Sequence, residues 1–397
     1  MAIPPDTTTP SLTFLCSRFR PERYGGVEER LWHITQALST DDVPVEVITE
    51  NRGGFPETEQ FGPLLSVRRI RPLDEGRLWR IYYAVKAYQW RAAAARLVSG
   101  SVIWATEPSM AVGALTVVPR RPVVFNPAAC AAGMRSIWRL RPEVDSMNVP
   151  RHLIMLDRLA YRFSDAVVVS SVNVQAQFER AYGARAGAVQ VVPHAVESPA
   201  VVPARASVRS RFGMASDTFC VGFVGRLDPC KDVPFLIEAV ARMADRRNVR
   251  LLFVGVGPDE ARIRRKAQES GLQDHVIWTG QLSELAEAYA AMDVLVLPSV
   301  YEAFGLVLLE AMVMGVPAIA RASNATSVLT ASSEIIPPSA GIVVPADGLA
   351  ELANALEMLQ RDPATRAAMG QEARRVALQW NWRDVAREYA RITYVLA

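Results

Sequence analysis

The sequence predicts an α/β protein with two doubly wound parallel sheets. Short apolar runs that end in turn residues alternate with helical segments in both halves of the chain, a pattern typical of strand–helix–strand units. The length of 397 residues is too large for one hydrophobic core and suits two domains of ordinary size. A stretch rich in Pro, Ala and Ser at 193–211 separates the halves and predicts a linker.

The first half supplies the elements of one sheet. A helix is expected from Val27, after a turn that contains Gly25 and Gly26. The apolar runs predict strands at Leu12–Cys16, Val45–Thr49, Val102–Ala105, Val123–Phe125, Ala166–Ser170 and Val189–Val192.

The second half repeats the alternation. Its apolar runs predict strands at Phe219–Val224, Arg250–Val254, His275–Trp278, Val294–Leu297 and Ala318–Ala320. The last helix is expected from about Trp382 to Leu396. Its apolar residues have helical spacing and must pack on another element. They are Val385, Tyr389, Ile392 and Leu396.

These elements set the expected domain limits. We expect a first domain at 1–195, with residues 1–10 disordered, a linker at 196–216, a second domain at 217–380 and a final helix segment at 381–397. Ligands of doubly wound sheets bind at the carboxyl ends of the strands. Two such sheets facing each other therefore predict a central cleft.

Composition argues against several classes of protein. The net charge of +3 is small, so no nucleic-acid partner is expected. The chain has no run of about 18 uncharged apolar residues, and its start, MAIPPDTTTP, is unlike a signal peptide. The cysteines lack pairing or metal-ligand spacing, which is typical of reduced cytoplasmic proteins. They are Cys16, Cys130, Cys220 and Cys230.

The chemistry is concentrated in the segment 301–320, YEAFGLVLLEAMVMGVPAIA. It directly follows a predicted strand, and a helix is expected from Gly305 onward. Glu302 is then expected in the turn and Glu310 in the helix, roughly 7–8 Å along the axis. The backbone N–H groups at Phe304, Gly305 and Leu306 would receive a phosphate with help from the helix dipole.

This segment closely resembles the signature of the retaining GT-B glycosyltransferases of family 4, a Glu-x7-Glu pair inside PSxYEPFGLVxLEAMAxGxP. Three more segments are similar to parts of that family. They are VGFVGRLDPCKDVPFLIEAV at 221–240 (family GRLxxxKG), LLFVGVGP at 251–258 (strand and glycine turn) and RYGGVEERL at 23–31 (glycine-rich loop). The last helix, at 381–397, resembles the family's closing helix, which implies that it packs back on the first domain. The resemblance covers nearly the whole chain after the first ten residues.

The resemblance implies that the second domain binds a nucleotide diphosphate sugar and the first binds the acceptor. Arg226 and Lys231 match positions that hold the donor diphosphate and stabilise the charge of the leaving group. Glu302 would hydrogen-bond the sugar hydroxyls, and Glu310 the ribose diol. The catalytic set is thus Glu302, Arg226 and Lys231.

Further donor contacts follow from the same resemblance. Gly25 and Gly26 would let the backbone approach the donor phosphate or the acceptor, Gly255 would lie in the second glycine turn, and Gln281 and Leu282 would contact the base through their main chain. The expected donor is a UDP-sugar, and the expected outcome is retention by front-face attack. No cofactor or metal is expected, because the sequence has no Asp-x-Asp pair and no histidine cluster.

Two departures from the family pattern concern the acceptor side and one turn. Many members carry a histidine in the loop that here reads NPAACAAGM, at 126–134, and this chain has none there. The segment SNATS, at 323–327, replaces the usual glycine pair and acid.

The acceptor stays open between two classes. Acids at Glu22, Glu28 and Glu29 would welcome a small cationic acceptor, such as an amino-sugar or aminocyclitol. Aromatic and basic residues at 77–91 and 135–141 would suit a membrane surface and a lipid or polysaccharide precursor. A sugar phosphorylase and a non-catalytic GT-B relative are the alternatives of other classes.

Overall fold

The structure is a computed structural model that describes residues 10–21, 25–73, 82–185, 187 and 189–397. The chain forms two compact units. The first contains Met1–Gly133, Val149–His194 and Trp382–Ala397, and the second contains Met134–Asn148 and Ala195–Asn381. The predicted domain limits stay predictions, and the units differ from them chiefly in placing Met134–Asn148 in the second unit. The disorder expected for residues 1–10 concerns positions that, apart from Pro10, lie outside the described residues.

The first unit is built on an eight-stranded sheet. Its strands are β1 (Leu12–Cys16), β2 (Val45–Glu50), β3 (Thr58–Gln60), β4 (Leu65–Ile70), β5 (Val102–Ala105), β6 (Val123–Phe125), β7 (Ala166–Val169) and β8 (Val189–Val191). They lie in the order β3-β4-β2-β1-β5-β6-β7-β8, and only β3 and β4 pair antiparallel. The winding direction reverses between β1 and β5.

The predicted strands of this half are confirmed to within one residue at each end. These strands could be predicted because most of them are buried throughout and are therefore nearly continuous apolar runs. The fully buried strands are β1, β2, β5, β6 and β7. Strands β3 and β4 were not predicted. β3 consists of polar residues, and the apolar pattern of β4 is interrupted by Arg68 and the buried Arg69.

The helices begin with Gly26–Thr40, for which Gly25 is the N-cap in an extended conformation. Gly26 is therefore the first helical residue, and the expected start at Val27 was wrong by one position. Within the described ranges before residue 194, the other α-helices are Tyr82–Leu97, Pro108–Leu115, Ala131–Leu140, Arg151–Phe163 and Val172–Tyr182.

The helix Trp382–Leu396 packs within the first unit, whereas its apolar spacing predicted only that it packs on another element. Tyr389 stacks on Trp104 of β5 with ring centroids 4.3 Å apart. The Trp104 indole N–H donates to the Thr393 hydroxyl at 3.0 Å. Val385 and Ile392 are buried too, whereas Leu396 is only half-buried.

The second unit contains a six-stranded parallel sheet in the order β11-β10-β9-β12-β14-β16 and a separate pair, β13 and β15. Its strands are β9 (Phe219–Val224), β10 (Val249–Val254), β11 (Val276–Gly280), β12 (Val294–Leu297), β13 (Tyr301–Glu302), β14 (Ala318–Arg321), β15 (Leu329–Thr330) and β16 (Gly341–Val344). The winding reverses between β9 and β12. The five predicted strands are present, whereas β13, β15 and β16 were not predicted.

The helices between residues 205 and 377 cover this sheet. They are Arg205–Arg211, Val233–Arg242, Glu260–Glu269, Leu285–Ala291, Leu306–Val313, Ser332–Ile335, Leu349–Arg361 and Pro363–Ala377. Residues of β9, β10, β12 and β14 form one buried hydrophobic cluster with these helices. Among the helices of the described ranges, none is both long and apolar enough to cross a bilayer.

Candidate functional site

Most of the predicted site residues follow strands of the second sheet at their carboxyl ends. Arg226 and Lys231 come after β9, Gly255 after β10, Gln281 and Leu282 after β11, and the segment 302–310 after β12. Gly25 and Gly26 lie in the first unit, at the start of its first helix. The reversal of winding between β9 and β12 opens a crevice at this edge, which is where ligands of such sheets bind.

Lys231 and Glu302 form a direct ion pair in this crevice. The Lys231 ammonium lies 2.5 Å from Glu302 Oε2, and the side chains are only 19% and 16% exposed. Burial has the largest single effect and lowers the pKa of Lys231, but the opposing effects, led by the Glu302 carboxylate, together leave the pKa raised. The predicted phosphate-binding cation and the predicted sugar-binding acid are therefore partners of each other.

Two backbone features bring this pair together. The Val300 N–H donates to the Cys230 carbonyl at 2.9 Å, which joins the segment before Lys231 to the segment before Glu302. Glu302 was expected in a turn, but it lies in β13, where it pairs with Thr330 of β15. The turn assignment was wrong because this two-residue strand depends on a partner far along the chain.

Arg226 is nearly half exposed, at 49%, and pairs with Asp228 at 2.9 Å. Asp228 is buried and accepts hydrogen bonds from the Ser146 hydroxyl at 2.5 Å and from the Cys230 N–H at 3.1 Å. Burial tends to raise the pKa of Asp228, but these hydrogen bonds and Arg226 hold it below its usual value. Asp228 and Ser146 were not predicted as site residues. The only signal was an Asp before Pro229, a common way to begin a turn.

Gly305 makes the turn into the helix Leu306–Val313. Its φ of +104° is a conformation that favours glycine, and a Cβ there would lie 3.3 Å from Glu302 Cγ. By the geometry of any helix, the N–H groups of the first turn after Gly305 point out of the helix start. Phe304 is buried against Trp380, at 5.8 Å between rings, and Leu306 is half-buried on the core. These two residues thus have structural side chains, and any ligand contact would fall to their main chain.

Glu310 has a partner that the sequence analysis missed. The Tyr289 hydroxyl donates to Glu310 Oε2 at 2.6 Å. Tyr289 is buried, and both burial and the Glu310 carboxylate raise its pKa well above the usual value, so it stays a donor. Tyr289 therefore fixes the position of Glu310, and no local spacing in the sequence signals it.

The glycine turn after β10 has a structural explanation. A Cβ on Gly255, whose φ is +133°, would lie 2.0 Å from the Gly225 carbonyl oxygen. A Cβ on Gly257 would lie 2.2 Å from the Leu227 carbonyl oxygen. The turn after β10 therefore packs directly against the backbone that leads to Lys231. Ligand contact by Gly255 stays a prediction.

The two predicted base-contact residues differ in exposure. Gln281 is exposed, whereas Leu282 packs its side chain on the hydrophobic cluster. Contact with a base through their main chain stays a prediction.

The first unit has a polar cluster of its own where its winding reverses. The buried Lys86 ammonium donates to the Ser17 hydroxyl at 2.7 Å and to Glu107 at 2.9 Å, and Glu50 Oε1 lies 3.4 Å away. Ser17, Glu50 and Glu107 stand at the carboxyl ends of β1, β2 and β5. The cluster thus occupies the edge at which a doubly wound sheet binds ligands.

This cluster corrects the sequence interpretation of the aromatic and basic stripe. Lys86 and Trp90 are buried in the first unit and do not belong to an exposed basic surface, although Tyr88 is 68% exposed. The stripe residues Arg77, Trp79 and Arg80 lie outside the described residues.

Within the residues that the structure describes, no group of three or more His, Cys, Asp or Glu side chains is arranged to hold a metal ion. The four cysteines are buried, and no disulfide joins them.

Two family models match the chain and together span most of it. One, described as "Glycosyltransferase Family 4", matches residues 24–198, and the other, "Glycosyl transferases group 1", matches residues 205–376. They correspond to the first and second halves of the predicted fold.

Several curated relatives carry the name D-inositol 3-phosphate glycosyltransferase. The protein of that name from Gordonia bronchialis is 27% identical over 90% of this chain and 81% of its own length. The one from Corynebacterium glutamicum is 33% identical over 56% of each chain. The one from Pseudarthrobacter chlorophenolicus is 32% identical over 55% of this chain and 53% of its own length, so these last two matches span about half of each relative.

Solved structures share the fold along nearly the whole chain. The sucrose-phosphate synthase of Thermosynechococcus elongatus matches with a TM-score of 0.83 and 22% identity, over 98% of this chain and 99% of the other. HepE from Anabaena, solved in complex with UDP-glucose, matches with a TM-score of 0.74 and 22% identity over 98% and 100% of the two chains.

Proposed function

The chain belongs to the GT-B glycosyltransferases of family 4, the glycosyl transferases group 1, and we propose that it moves a sugar from a UDP-sugar to a hydroxyl group of a small-molecule acceptor. The observation that carries this proposal is the Lys231–Glu302 pair in the crevice between β9 and β12. In this pair, a cation from one family motif directly contacts an acid from the other motif.

The donor half of the proposal rests on charge. Breaking the bond between the anomeric carbon and the phosphate oxygen leaves negative charge on the diphosphate. Lys231, Arg226 and the first-turn amides after Gly305 are the groups that we assign to that charge. Glu310, held by Tyr289, would accept hydrogen bonds from the ribose diol.

We propose that transfer retains the configuration at the anomeric carbon. The acceptor oxygen would attack from the face that the phosphate leaves, and the departing phosphate oxygen would take the acceptor proton. Lys231 and Arg226 would supply the electrostatic stabilisation, and we propose that no metal ion takes part. Glu302 would orient the sugar hydroxyls once a phosphate oxygen has taken its place beside Lys231.

We assign the acceptor to the first unit, at the edge where Ser17, Glu50, Lys86 and Glu107 meet. Carboxylates and a hydroxyl suit a polyhydroxylated or amino-substituted acceptor. The relatives named D-inositol 3-phosphate glycosyltransferase make a cyclitol the first acceptor to try. The cytoplasmic location stays a prediction.

A thermal-shift screen over UDP, GDP and ADP and their sugars tests the donor. A ligand at 100 times its Kd should stabilise the protein by about 2.7 kcal/mol. Active pairs of donor and acceptor would then be followed by NMR, which reads the anomeric configuration of the product directly. An inverted product would overturn retention, and the absence of stabilisation by any nucleotide would overturn the donor assignment.

The same screen separates the alternatives. Sugar transfer that needs inorganic phosphate and no nucleotide would indicate a phosphorylase. Hydrolysis of the sugar nucleotide without acceptor would argue against a non-catalytic relative. Flotation with liposomes, together with activity on lipid-linked acceptors alone, would favour a membrane-surface enzyme.

A further inference from the structure

Arg321, the last residue of β14, is a buried arginine that connects three loops of the second unit. It is 1% exposed. Its Nη1 donates to Asp232 Oδ2 at 2.8 Å and to the Pro298 carbonyl at 3.1 Å, and its Nε donates to the Ala346 carbonyl at 2.6 Å. The guanidinium lies 4.1 Å from the centroid of the Phe235 ring, which fixes its plane.

Two of these acceptors belong to the segments that carry the ion pair. Asp232 directly follows Lys231, and Pro298 begins the segment that leads to Glu302. One nitrogen of Arg321 therefore binds both segments at once. Because a planar guanidinium has fixed donor directions, it sets the separation of its two acceptors.

Asp232 is an unusual residue at its position in the motif. The similar family segment, GRLxxxKG, has glycine where this chain has Asp232. Asp232 nevertheless keeps a left-handed conformation, with φ of +47°, which costs free energy in a residue other than glycine. Its carboxylate is held by Arg321 and, at 3.0 Å, by Arg141. These contacts offset the cost and anchor the residue beside Lys231.

We propose that Arg321 and Asp232 are positioning residues that hold the Lys231 ammonium against Glu302. The importance of this positioning for sugar transfer rests on the proposed function. The arrangement of Lys231 against Glu302 does not depend on that function. Without the carboxylate of Asp232 or the fork of Arg321, the two segments lose one of their connections. Lys231 then leaves Glu302 more often, and the site loses its arrangement for a diphosphate.

The chain offers a direct readout of this pair because its only lysines are Lys86, Lys231 and Lys266. A brief pulse of acetic anhydride followed by peptide mass spectrometry gives the labelling of Lys231 relative to Lys266. Lys266 pairs with Glu238 and is 28% exposed, so it serves as the internal reference. Lys86 is buried in the first unit and reports unfolding of that unit, and circular dichroism of each variant reports unfolding of the second.

The variants distinguish the effect of the Asp232 carboxylate from the effect of its backbone conformation. Asp232→Asn keeps a residue that tolerates the left-handed conformation but removes the charge, and Asp232→Gly supplies the conformation without any side chain. Arg321→Lys keeps a cation but removes the fork. We expect the Lys231 to Lys266 labelling ratio to rise about threefold or more in all three, because a lysine released from a carboxylate becomes a better nucleophile. The matched control is Arg247→Ala, which breaks an exposed pair with Asp245.

Binding of UDP, measured by calorimetry on the same variants, gives the second readout. We expect Kd to rise about tenfold while Lys86 stays protected and the circular dichroism is unchanged, because the arrangement of the phosphate-binding groups is lost without unfolding. An unchanged labelling ratio in all three variants, with Lys86 protected, would overturn the positioning role. If the wild-type protein binds no nucleotide, the donor assignment fails, and the labelling ratio still decides whether Arg321 and Asp232 position Lys231.

Discussion

The Lys231 ammonium lies 2.5 Å from the Glu302 carboxylate, although the two residues follow different strands of the second sheet. A phosphate that binds Lys231 must therefore compete with a carboxylate that is already in place. Lys231 and Glu302 must therefore separate before a phosphate oxygen can pair with the lysine. Variants of either residue should change donor binding and not only the chemical step.

Lys231→Met should remove the cation while keeping most of the side-chain volume. We expect glycosyl transfer to fall about 100-fold or more, because one preorganised group opposite the developing charge is typically worth that much. Steady-state rates at saturating donor and acceptor measure the effect. Arg247→Ala, at an arginine that is 87% exposed, is the control and should stay within about twofold. Equal rates for Lys231→Met and the control would contradict the assignment.

Glu310→Gln should weaken donor binding because a charged acceptor becomes neutral. We expect the Kd for UDP to rise about tenfold, with a smaller rise for Tyr289→Phe, which leaves the carboxylate but removes the hydroxyl that holds it. Calorimetry of both variants with UDP and with pyrophosphate, which lacks the uridine, separates contacts to the ribose from contacts to the phosphates. A loss of pyrophosphate affinity equal to the loss of UDP affinity would show that Glu310 does not act through the ribose.

Gly255→Ala should destabilise the second unit strongly. The new Cβ would meet the Gly225 carbonyl oxygen at 2.0 Å, and φ is +133°. We expect a loss of more than about 3 kcal/mol in unfolding free energy. Gly271→Ala is the matched control, because Gly271 has φ of +66° and no atom within 4 Å of the added Cβ, so only about 1 kcal/mol should be lost. Urea unfolding of the two variants measures the difference.

Asp157 should make the first unit sensitive to pH. It is buried, and its carboxylate accepts from the Ala131 N–H at 2.9 Å and the Tyr182 hydroxyl at 2.8 Å. Burial raises the pKa of Asp157 to about 7, although both hydrogen bonds oppose this. An acid whose pKa is raised in the folded state stabilises the fold while it is protonated. This stabilisation is fully present below the unfolded pKa of about 3.9 and is lost as the pH rises through the folded pKa.

The variant Asp157→Asn should lack this dependence. We expect the wild-type protein to lose about 2–3 kcal/mol relative to the variant between pH 5 and pH 7.5. Urea unfolding at both values gives the difference. A difference between the two proteins that does not change with pH would show that Asp157 titrates in its ordinary range.

The sequence allowed the buried strands and the identities of the motif residues to be predicted, because both depend on local patterns. Val294–Leu297 was predicted correctly as an apolar run before a helix that starts near Gly305. The partners of the motif residues were not predictable. Tyr289 reaches Glu310, and Arg321 reaches Asp232, only when separate elements pack together.

Errors of assignment had the same origin. The aromatic and basic stripe that includes Lys86 was left open as a membrane surface, because its helix carries aromatic and basic residues together. Its burial depends on Glu50, at the end of β2, and on Glu107, the N-cap of the helix Pro108–Leu115. Periodicity shows which positions can face a core, but it does not show which charge another segment will bring to them.

The helix Trp382–Leu396 belongs to the first unit, although it comes after the second unit in the chain. On the ribosome, the nascent first unit therefore lacks the partner of Trp104 and Asn126 until translation has passed the second unit. An isolated fragment that ends at residue 194 would leave these groups open to water. Because synthesis proceeds from the amino end, most of the first unit is made first, but this unit is complete only when the last helix has been made.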